Sequence, residues 1–176
     1  MDGVFISFGS NVGDRERYIR RAVQLVECVG AGTLCALSSL YETEPAEGVG
    51  GHVFLNGVLK MSTPVEPRGL LERLQSIERQ LDRTGKGQGL PRTIDLDIVL
   101  YGQRIVSLPD LVIPHPKMAR RPFVLVPMAE VDPGYIHPVM KRTIRELLEH
   151  VDDVSSVRFY KKMDHERMDG RGMSAC

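Results

Sequence analysis

The sequence predicts an α+β fold in which two helices cover one face of a sheet. Two patterns predict it: apolar residues alternate with period two in four short segments and recur every three or four residues in two others. The segments follow one another as strand, helix, strand, strand, helix, strand. The length of 176 residues, with 42% hydrophobic and 26% charged residues, fits one globular domain.

The first half of the chain supplies one strand, one helix and a second strand. The first strand starts at Val4 and gives way to the turn-rich stretch 9–14. An amphipathic helix of about four turns follows, because Ile19, Ala22, Val23 and Val26 recur at helical spacing. Gly30 and Gly32 end this helix, and residues 34–41 form the second strand.

The second half supplies two more strands around another helix. Residues 54–61 form the third strand, and the second helix carries the apolar stripe Leu70, Leu74, Ile77 and Leu81. A long glycine-containing loop over 82–91 leads into the fourth strand, residues 93–101. Residues 123–130 and 142–150 are predicted helical additions.

This element order is the split β-α-β order of a ferredoxin-like βαββαβ sandwich with extra C-terminal elements. We expect one domain over residues 1–160. The segment 161–176 has few apolar residues, so we expect it to be a mobile tail.

Charge and composition exclude several classes of protein. Lys plus Arg and Asp plus Glu both number 23, and this balance disfavours a protein whose main task is to coat nucleic acid. No apolar run approaches the ~20 residues that span a bilayer, and the N-terminus lacks a secretory signal. Three cysteines without Cys-x-x-Cys spacing predict reduced thiols. We therefore expect a cytoplasmic monomer that binds neither nucleic acid nor membrane.

The most informative stretch is the fourth strand. Strand side chains alternate between faces, so Asp95 and Asp97 share one face while the other is apolar, with Ile94, Leu96, Ile98 and Leu100. Two carboxylates about 6–7 Å apart repel each other unless a partner neutralises them. Their hard oxygens suit Mg²⁺. The alternative is a half-exposed strand with a polar outer face.

Cations near this pair favour a polyphosphate ligand. Arg92 directly precedes the strand, and the loop before it carries Arg83 and Lys86. His115 lies between two prolines with Arg121 downstream, and it could donate to a phosphate or simply be a packed residue. Gly9 to Gly13 lacks the ending of a Walker motif and has Asp14 after it, so we interpret it as structural.

In this light the chain resembles the 6-hydroxymethyl-7,8-dihydropterin pyrophosphokinase family. The matching motifs are Phe-Gly-Ser-Asn-Val-Gly-Asp at 8–14, Ser-Ser-Leu-Tyr-Glu-Thr-Glu-Pro at 38–45, Phe-Leu-Asn at 54–56, Leu-Gln-Ser-Ile-Glu at 74–78, Pro-Arg-Thr-Ile-Asp-Leu-Asp at 91–97, Ile-Pro-His-Pro at 113–116 and Arg-Pro-Phe-Val-Leu at 121–125. They occur in family order over residues 4 to about 134.

The resemblance implies a reaction and a set of roles. The family transfers a pyrophosphoryl group from ATP to the hydroxymethyl oxygen of the dihydropterin and releases AMP. Arg83 and Arg92 resemble the residues that neutralise charge on the transferring groups, and Asp95 and Asp97 those that hold two Mg²⁺ ions. The implied ATP contacts are Gln75, Glu78, Lys86, Ile98, His115 and Arg121, and the implied pterin contacts are Thr43, Pro45, Ala46, Phe54, Asn56 and Phe123.

The chain departs from the family pattern in the loop 82–91. It has no Trp, and Gly85 stands where members often have a second Arg, so we expect Lys86 to supply that charge. The main alternative is a non-catalytic ligand-binding module of the same fold. An RNA binder would need a basic surface, and a metal-dependent phosphohydrolase would turn over ATP without pterin.

Overall fold

A computed structural model describes residues 3–29, 32–44, 53–81 and 92–163. The strands are β1 (Val4–Ser10), β2 (Thr33–Leu37), β3 (Leu40–Thr43), β4 (Phe54–Ser62), β5 (Asp95–Tyr101), β6 (Val106–Leu108), β7 (Leu111–Ile113) and β8 (Arg158–Lys161). The α-helices are α1 (Arg15–Val29), α2 (Pro67–Gln80), α3 (Pro122–Val131) and α4 (Ile144–Glu149).

The main sheet is antiparallel, in the order β5-β1-β4-β3-β8, and β2 also pairs with β4. Leu37 lies opposite Leu59, and Tyr41 lies opposite Asn56 further along the same strand. β2 and β3 therefore pair with the same edge of β4, one after the other along its length. The predicted ferredoxin-like βαββαβ order is confirmed, with the second predicted strand divided in two.

A serine causes this division. The Ser38 hydroxyl accepts the Val58 N–H (2.9 Å) and donates to the Ser39 carbonyl (2.7 Å), so a side chain replaces part of the backbone ladder. Gly57 is required beside it, because a Cβ there would lie 2.5 Å from the Phe8 ring and 3.0 Å from Ser38 Oγ. The apolar pattern of this segment does not reveal such a local interruption.

Two layers of helices enclose the sheet, although the sequence predicted helices on one face. On the first face, α1 and α2 bury an apolar cluster that includes Ile6, Ile19, Leu59, Leu74 and Leu96. On the second face, α3 and α4 cover another cluster that includes Phe5, Val58, Val99, Leu125 and Ile144. The C-terminal additions are thus a second layer, required because this half of the second face is also apolar.

The alternation predicted for β5 fails at its end. The register between β1 and β5 shifts between Phe5 and Ile6, so that Phe5 lies opposite Leu100 and Ile6 opposite Ile98. Val99 is thereby the extra residue of a bulge. Leu100 consequently packs in the second-face cluster rather than beside Ile98.

Two further expectations meet exceptions in the structure. Lys161, the expected first residue of the tail, ends β8, and Met163 is buried; residues 164–176 lie outside the described residues.

The cysteines differ from the prediction of reduced thiols. Cys28 is disulfide-bonded, since an odd number of cysteines does not preclude one bridge, and Cys35 is a free exposed thiol. No helix within the described ranges is long and apolar enough to cross a membrane.

Candidate active site

Beyond its apolar half, the second face of the sheet carries polar or small residues on its strands. Gly9 on β1 lies opposite Asp95 on one side and Asn56 on the other. Asn56 in turn lies opposite Tyr41 on β3. Cross-strand neighbours point to the same face, so these four residues form one row across the sheet. Ser7 and Asp97 form a pair in the adjoining row.

The carboxylates of Asp95 and Asp97 lie on this face, as their alternation predicts. Both are half-buried, whereas Leu96 between them and Ile98 after them are buried on the opposite side. The paired hard oxygens fit Mg²⁺, which binds one or two carboxylates together with phosphate oxygens and water. Among the described residues no group of three His, Cys, Asp or Glu lies together in a way that could hold a metal ion.

Arg92 is fixed beside the pair. Its guanidinium forms an ion pair with the Asp95 carboxylate. Its backbone is held by Asn11, whose Oδ1 accepts the Arg92 N–H (2.7 Å) and whose N–H donates to the Arg92 carbonyl (3.0 Å). Asn11 is fully buried, so this contact with the turn after β1 fixes where β5 begins. Sequence reasoning missed Asn11, although its motif was recognised.

Glu78 on α2 holds β5 from another direction. Its carboxylate is buried and accepts the Leu96 N–H at 2.8 Å. Leu96 separates Asp95 from Asp97, so the bond positions the backbone between the two carboxylates. The sequence assigned Glu78 to the nucleotide, and this contact gives it a role in supporting the acidic pair. Gln75 lies three residues earlier on the same helix and is half-buried.

Asn56 and Thr43 form a polar wall at the other end of the row. Asn56 is buried and its Nδ2 donates to Thr43 Oγ1 at 2.7 Å. A Cβ at Gly9 would lie 2.7 Å from Asn56 Oδ1, so the side chain extends directly over the glycine. Phe54, opposite Thr43 in register, is half-buried next to this wall.

His115 is held as a neutral donor. Its backbone N–H donates to the Val99 carbonyl (2.9 Å), and its ring Nδ1 accepts the backbone N–H of Lys117 (3.2 Å). Burial, and then the positive charge of Arg121, lower its pKa to about 4. With Nδ1 accepting, the ring proton of the neutral form is on Nε2, which can donate to an anion.

Arg121 and Phe123 stand where α3 begins. The Arg121 guanidinium lies 5.5 Å from the centre of the half-buried Phe123 ring. Arg121 immediately precedes the helix, and its carbonyl accepts the N–H groups of Val124 and Leu125. Aromatic and cationic side chains are thus held together at the start of one helix.

The predicted site residues have different outcomes. Strand register brings together Asp95, Asp97 and Asn56, with Thr43 and Phe54 beside Asn56 and Arg92 on Asp95. Ile98 lies in the first-face core, opposite to the carboxylates, and is buried. The remaining predictions, Pro45, Ala46, Arg83 and Lys86, lie outside the described residues.

Comparison with known proteins gives a consistent result. Residues 5–133 match the model of the family described as 7,8-dihydro-6-hydroxymethylpterin-pyrophosphokinase. The chain is 43% identical over 127 residues to 2-amino-4-hydroxy-6-hydroxymethyldihydropteridine pyrophosphokinase of Bacillus subtilis, covering 72% of this chain and 76% of that protein. It is 38% identical over 152 residues to the folic acid synthesis protein fol1 of Pneumocystis carinii, covering 86% of this chain.

A solved structure shares the fold. The crystal structure of Plasmodium falciparum HPPK-DHPS wild type with SDX-DHP superposes with a TM-score of 0.69 at 16% identity, covering 84% of this chain. The chain spans 44% of that solved chain and 20% of the Pneumocystis protein, so both contain much that has no counterpart here.

Proposed function

The chain belongs to the 7,8-dihydro-6-hydroxymethylpterin-pyrophosphokinase family and is thereby a pyrophosphate-transferring enzyme of folate biosynthesis, and we propose that the polar half of its second sheet face carries the transfer. The substrates proposed are ATP and 6-hydroxymethyl-7,8-dihydropterin. The hydroxymethyl oxygen attacks the β-phosphorus of ATP, and the bond from that phosphorus to the α–β bridging oxygen breaks. The products are the pterin diphosphate and AMP.

The observation that carries this proposal is the row from Asp95 through Gly9 to Asn56. Acidic residues lie at one end and an amide wall lies at the other. One end is suited to the metal-bound triphosphate and the other to the polar edge of a flat heterocycle. Gly9 between them has no side chain, and the Asn56 amide occupies the space that a Cβ would need.

Asp95 and Asp97 would hold Mg²⁺, and we propose two ions. Bound there, the ions would neutralise phosphate charge and orient the transferring group. Arg92, next to Asp95, is placed to add positive charge beside the same phosphates. The proposed cations Arg83 and Lys86 belong to the loop that precedes it.

The other ATP contacts follow from position and chemistry. His115 Nε2 and the Arg121 guanidinium are donors suited to phosphate oxygens. Gln75 is retained as a proposed nucleotide contact, and Ile98 through its backbone only, because its side chain is buried in the first-face core. Glu78 is proposed to act at the nucleotide site through the β5 backbone, on the strength of its bond to Leu96.

The pterin is proposed to lie between Phe54 and Phe123, with its polar edge on Asn56 and Thr43. Pro45 and Ala46 complete the proposed pocket. Stacking between rings and two directed polar groups would fix the plane and the rotation of the pterin. With the hydroxymethyl group held in line with the phosphorus, positioning and charge neutralisation supply most of the rate acceleration.

Product analysis tests this function. The protein is mixed with ATP, Mg²⁺ and the dihydropterin, and phosphorus species are followed by ³¹P NMR with a control that lacks pterin. We expect AMP and a pterin diphosphate only when pterin is present. ADP or free phosphate without pterin would indicate a phosphohydrolase. Binding without turnover would indicate the non-catalytic ligand-binding module.

We also propose a monomer located in the cytoplasm that acts on these small molecules without nucleic acid. The site described above is formed by elements of one chain, which supports the monomer. Sedimentation velocity at micromolar protein concentration tests it, and a dimer that persists on dilution would contradict it.

A further inference from the structure

The C-terminal end of α3 is fastened to the beginning of β3 through one carboxylate. Glu130, in the last turn of α3, accepts the Ser39 N–H (2.8 Å), the Ser39 hydroxyl (2.8 Å) and the Tyr41 hydroxyl (2.9 Å). Ser39 is 4% exposed, so its N–H has little access to water. These bonds join residues about 90 positions apart in the sequence. They lie next to Ser38, whose hydroxyl separates β2 from β3.

All three partners of Glu130 are donors. Burial, and then the hydrogen bond to Glu130 and its charge, raise the pKa of Tyr41 to about 12, which is consistent with this hydroxyl donating to the carboxylate. An ionised carboxylate accepts all three with both of its oxygens, whereas an amide has one acceptor oxygen and would need the Ser39 hydroxyl to reverse its role. Hydrogen bonds to a charged acceptor are also stronger than neutral ones. The carboxylate is therefore specifically suited to this junction.

The fastening connects two elements of the proposed pterin pocket. Phe123 is seven residues before Glu130 in α3, which corresponds to about 10 Å along the helix. Thr43 is the last residue of β3 and bonds Asn56. Glu130 thus links the helix that carries Phe123 to the strand that carries Thr43.

A second contact anchors the same end of α3 to the neighbouring strand. Lys60 on β4 forms a 2.7 Å ion pair with Asp132, the residue that directly follows α3. Lys60 also lies over the rings of Phe5 and Tyr135. This contact and the apolar packing of α3 hold the helix on β4, and Glu130 adds the hydrogen bonds that tie it to β3.

We propose that Glu130 is a positioning residue for pterin binding, which sets the spacing between Phe123 and the Thr43–Asn56 wall without touching the substrate. The inference rests on the proposed function for the identity of the ligand. It predicts selectivity: loss of the carboxylate weakens pterin binding more than nucleotide binding, because Asp95, Asp97 and Arg92 are held by other contacts and, of the proposed phosphate contacts, Arg121 alone adjoins α3.

Calorimetry on the full chain tests this selectivity. Affinity for the dihydropterin is measured with Mg²⁺ and saturating α,β-methylene-ATP, which cannot undergo transfer, and the affinity for that nucleotide is measured alone. Because small misplacements of binding groups carry large penalties, Glu130→Gln is expected to weaken pterin binding about tenfold and nucleotide binding by a clearly smaller factor. Tyr41→Phe removes one of the three bonds and should give a smaller loss in the same direction.

Glu149→Gln is the matched control, since it changes an exposed glutamate near the end of another helix and should leave both affinities unchanged. If Glu130→Gln does not fold, Tyr41→Phe carries the test alone. Pterin affinity equal to wild type in the folded variants, or equal losses for both ligands, would overturn the inference. Wild-type protein that binds pterin but forms no AMP would contradict the proposed function and leave the positioning result valid.

Discussion

The buried carboxylate of Glu78 accepts the backbone N–H of Leu96, the residue between the two acidic side chains of β5. A buried acceptor in α2 thereby fixes the strand at the point where its carboxylates project from the other side. Support of this kind is what keeps paired ligands in register for a metal.

We predict that Glu78→Ala destabilises the protein by about 1–3 kcal/mol, because the Leu96 N–H would lose its acceptor in a buried setting. Glu78→Gln retains an acceptor oxygen and should lose less. Urea unfolding measures both, with exposed Glu72→Ala on the same helix as control. Equal stability of Glu78→Ala and wild type would show that the bond to Leu96 is not needed.

The acidic pair yields a prediction about metal dependence. Asp97→Asn should keep the fold and lose most Mg²⁺-dependent AMP formation, because the amide cannot replace a charged ligand. The control is Asp152→Asn, an exposed residue outside the site. Near-wild-type turnover in Asp97→Asn, measured across a magnesium titration, would contradict the assignment of this residue to the metal.

Gly9 yields a steric prediction. Gly9→Ala places a Cβ against Asn56 Oδ1, where only 2.7 Å is available, and should displace the amide from Thr43. We expect the KM for pterin to rise more than the KM for ATP. Gly134→Ala is the control, because a Cβ there would meet only Asp132 Oδ1 at 4.0 Å. A Gly9→Ala variant with unchanged pterin KM would contradict direct contact between Asn56 and the pterin.

His115 yields a prediction about pH. Its pKa is about 4 in the folded protein, below the ordinary value of 6.5, because of burial and the nearby Arg121; Lys117 opposes its protonation and Asp95 favours it. The unfolded chain therefore binds a proton first as pH falls. Its stabilising contribution is present above pH 6.5 and is lost as pH falls from 6.5 through about 4.

We expect His115→Gln to flatten the fall in unfolding free energy between pH 6.5 and 4 relative to wild type. Urea unfolding at a series of pH values measures this change, and His150→Gln, at an exposed position, is the control. Parallel pH profiles for wild type and His115→Gln would contradict the account of His115.

Much of this fold was predictable because its signals are local. Period-two and helical patterns identified the strands of the βαββαβ unit and both of its helices, and alternation placed Asp95 and Asp97 on one face. The break at Ser38 escaped because it depends on a single hydroxyl bond to Val58. The strand β8 escaped because its four residues are all exposed and carry no burial pattern.

The support for the site was less predictable than its chemistry. Asn11 holds Arg92 across 81 positions, and Glu130 holds Ser39 across 91. Such pairs have no spacing signature in one sequence, and only the fold brings them together. For Ile98 the sequence pattern was the better guide. The family resemblance assigned it to the nucleotide, but the alternation along β5 places its side chain on the face opposite to the carboxylates, where it is buried.

The central claim is that the metal-bound triphosphate lies over the second sheet face at Asp95 and Asp97. Mn²⁺ with α,β-methylene-ATP tests it directly, since the paramagnetic ion broadens nearby amide signals in an NMR spectrum of the ¹⁵N-labelled protein. We predict broadening centred on Ser7, Gly9 and Leu96, which Asp97→Asn should abolish. Broadening centred on α1 or α4, with these three amides unaffected, would contradict the account.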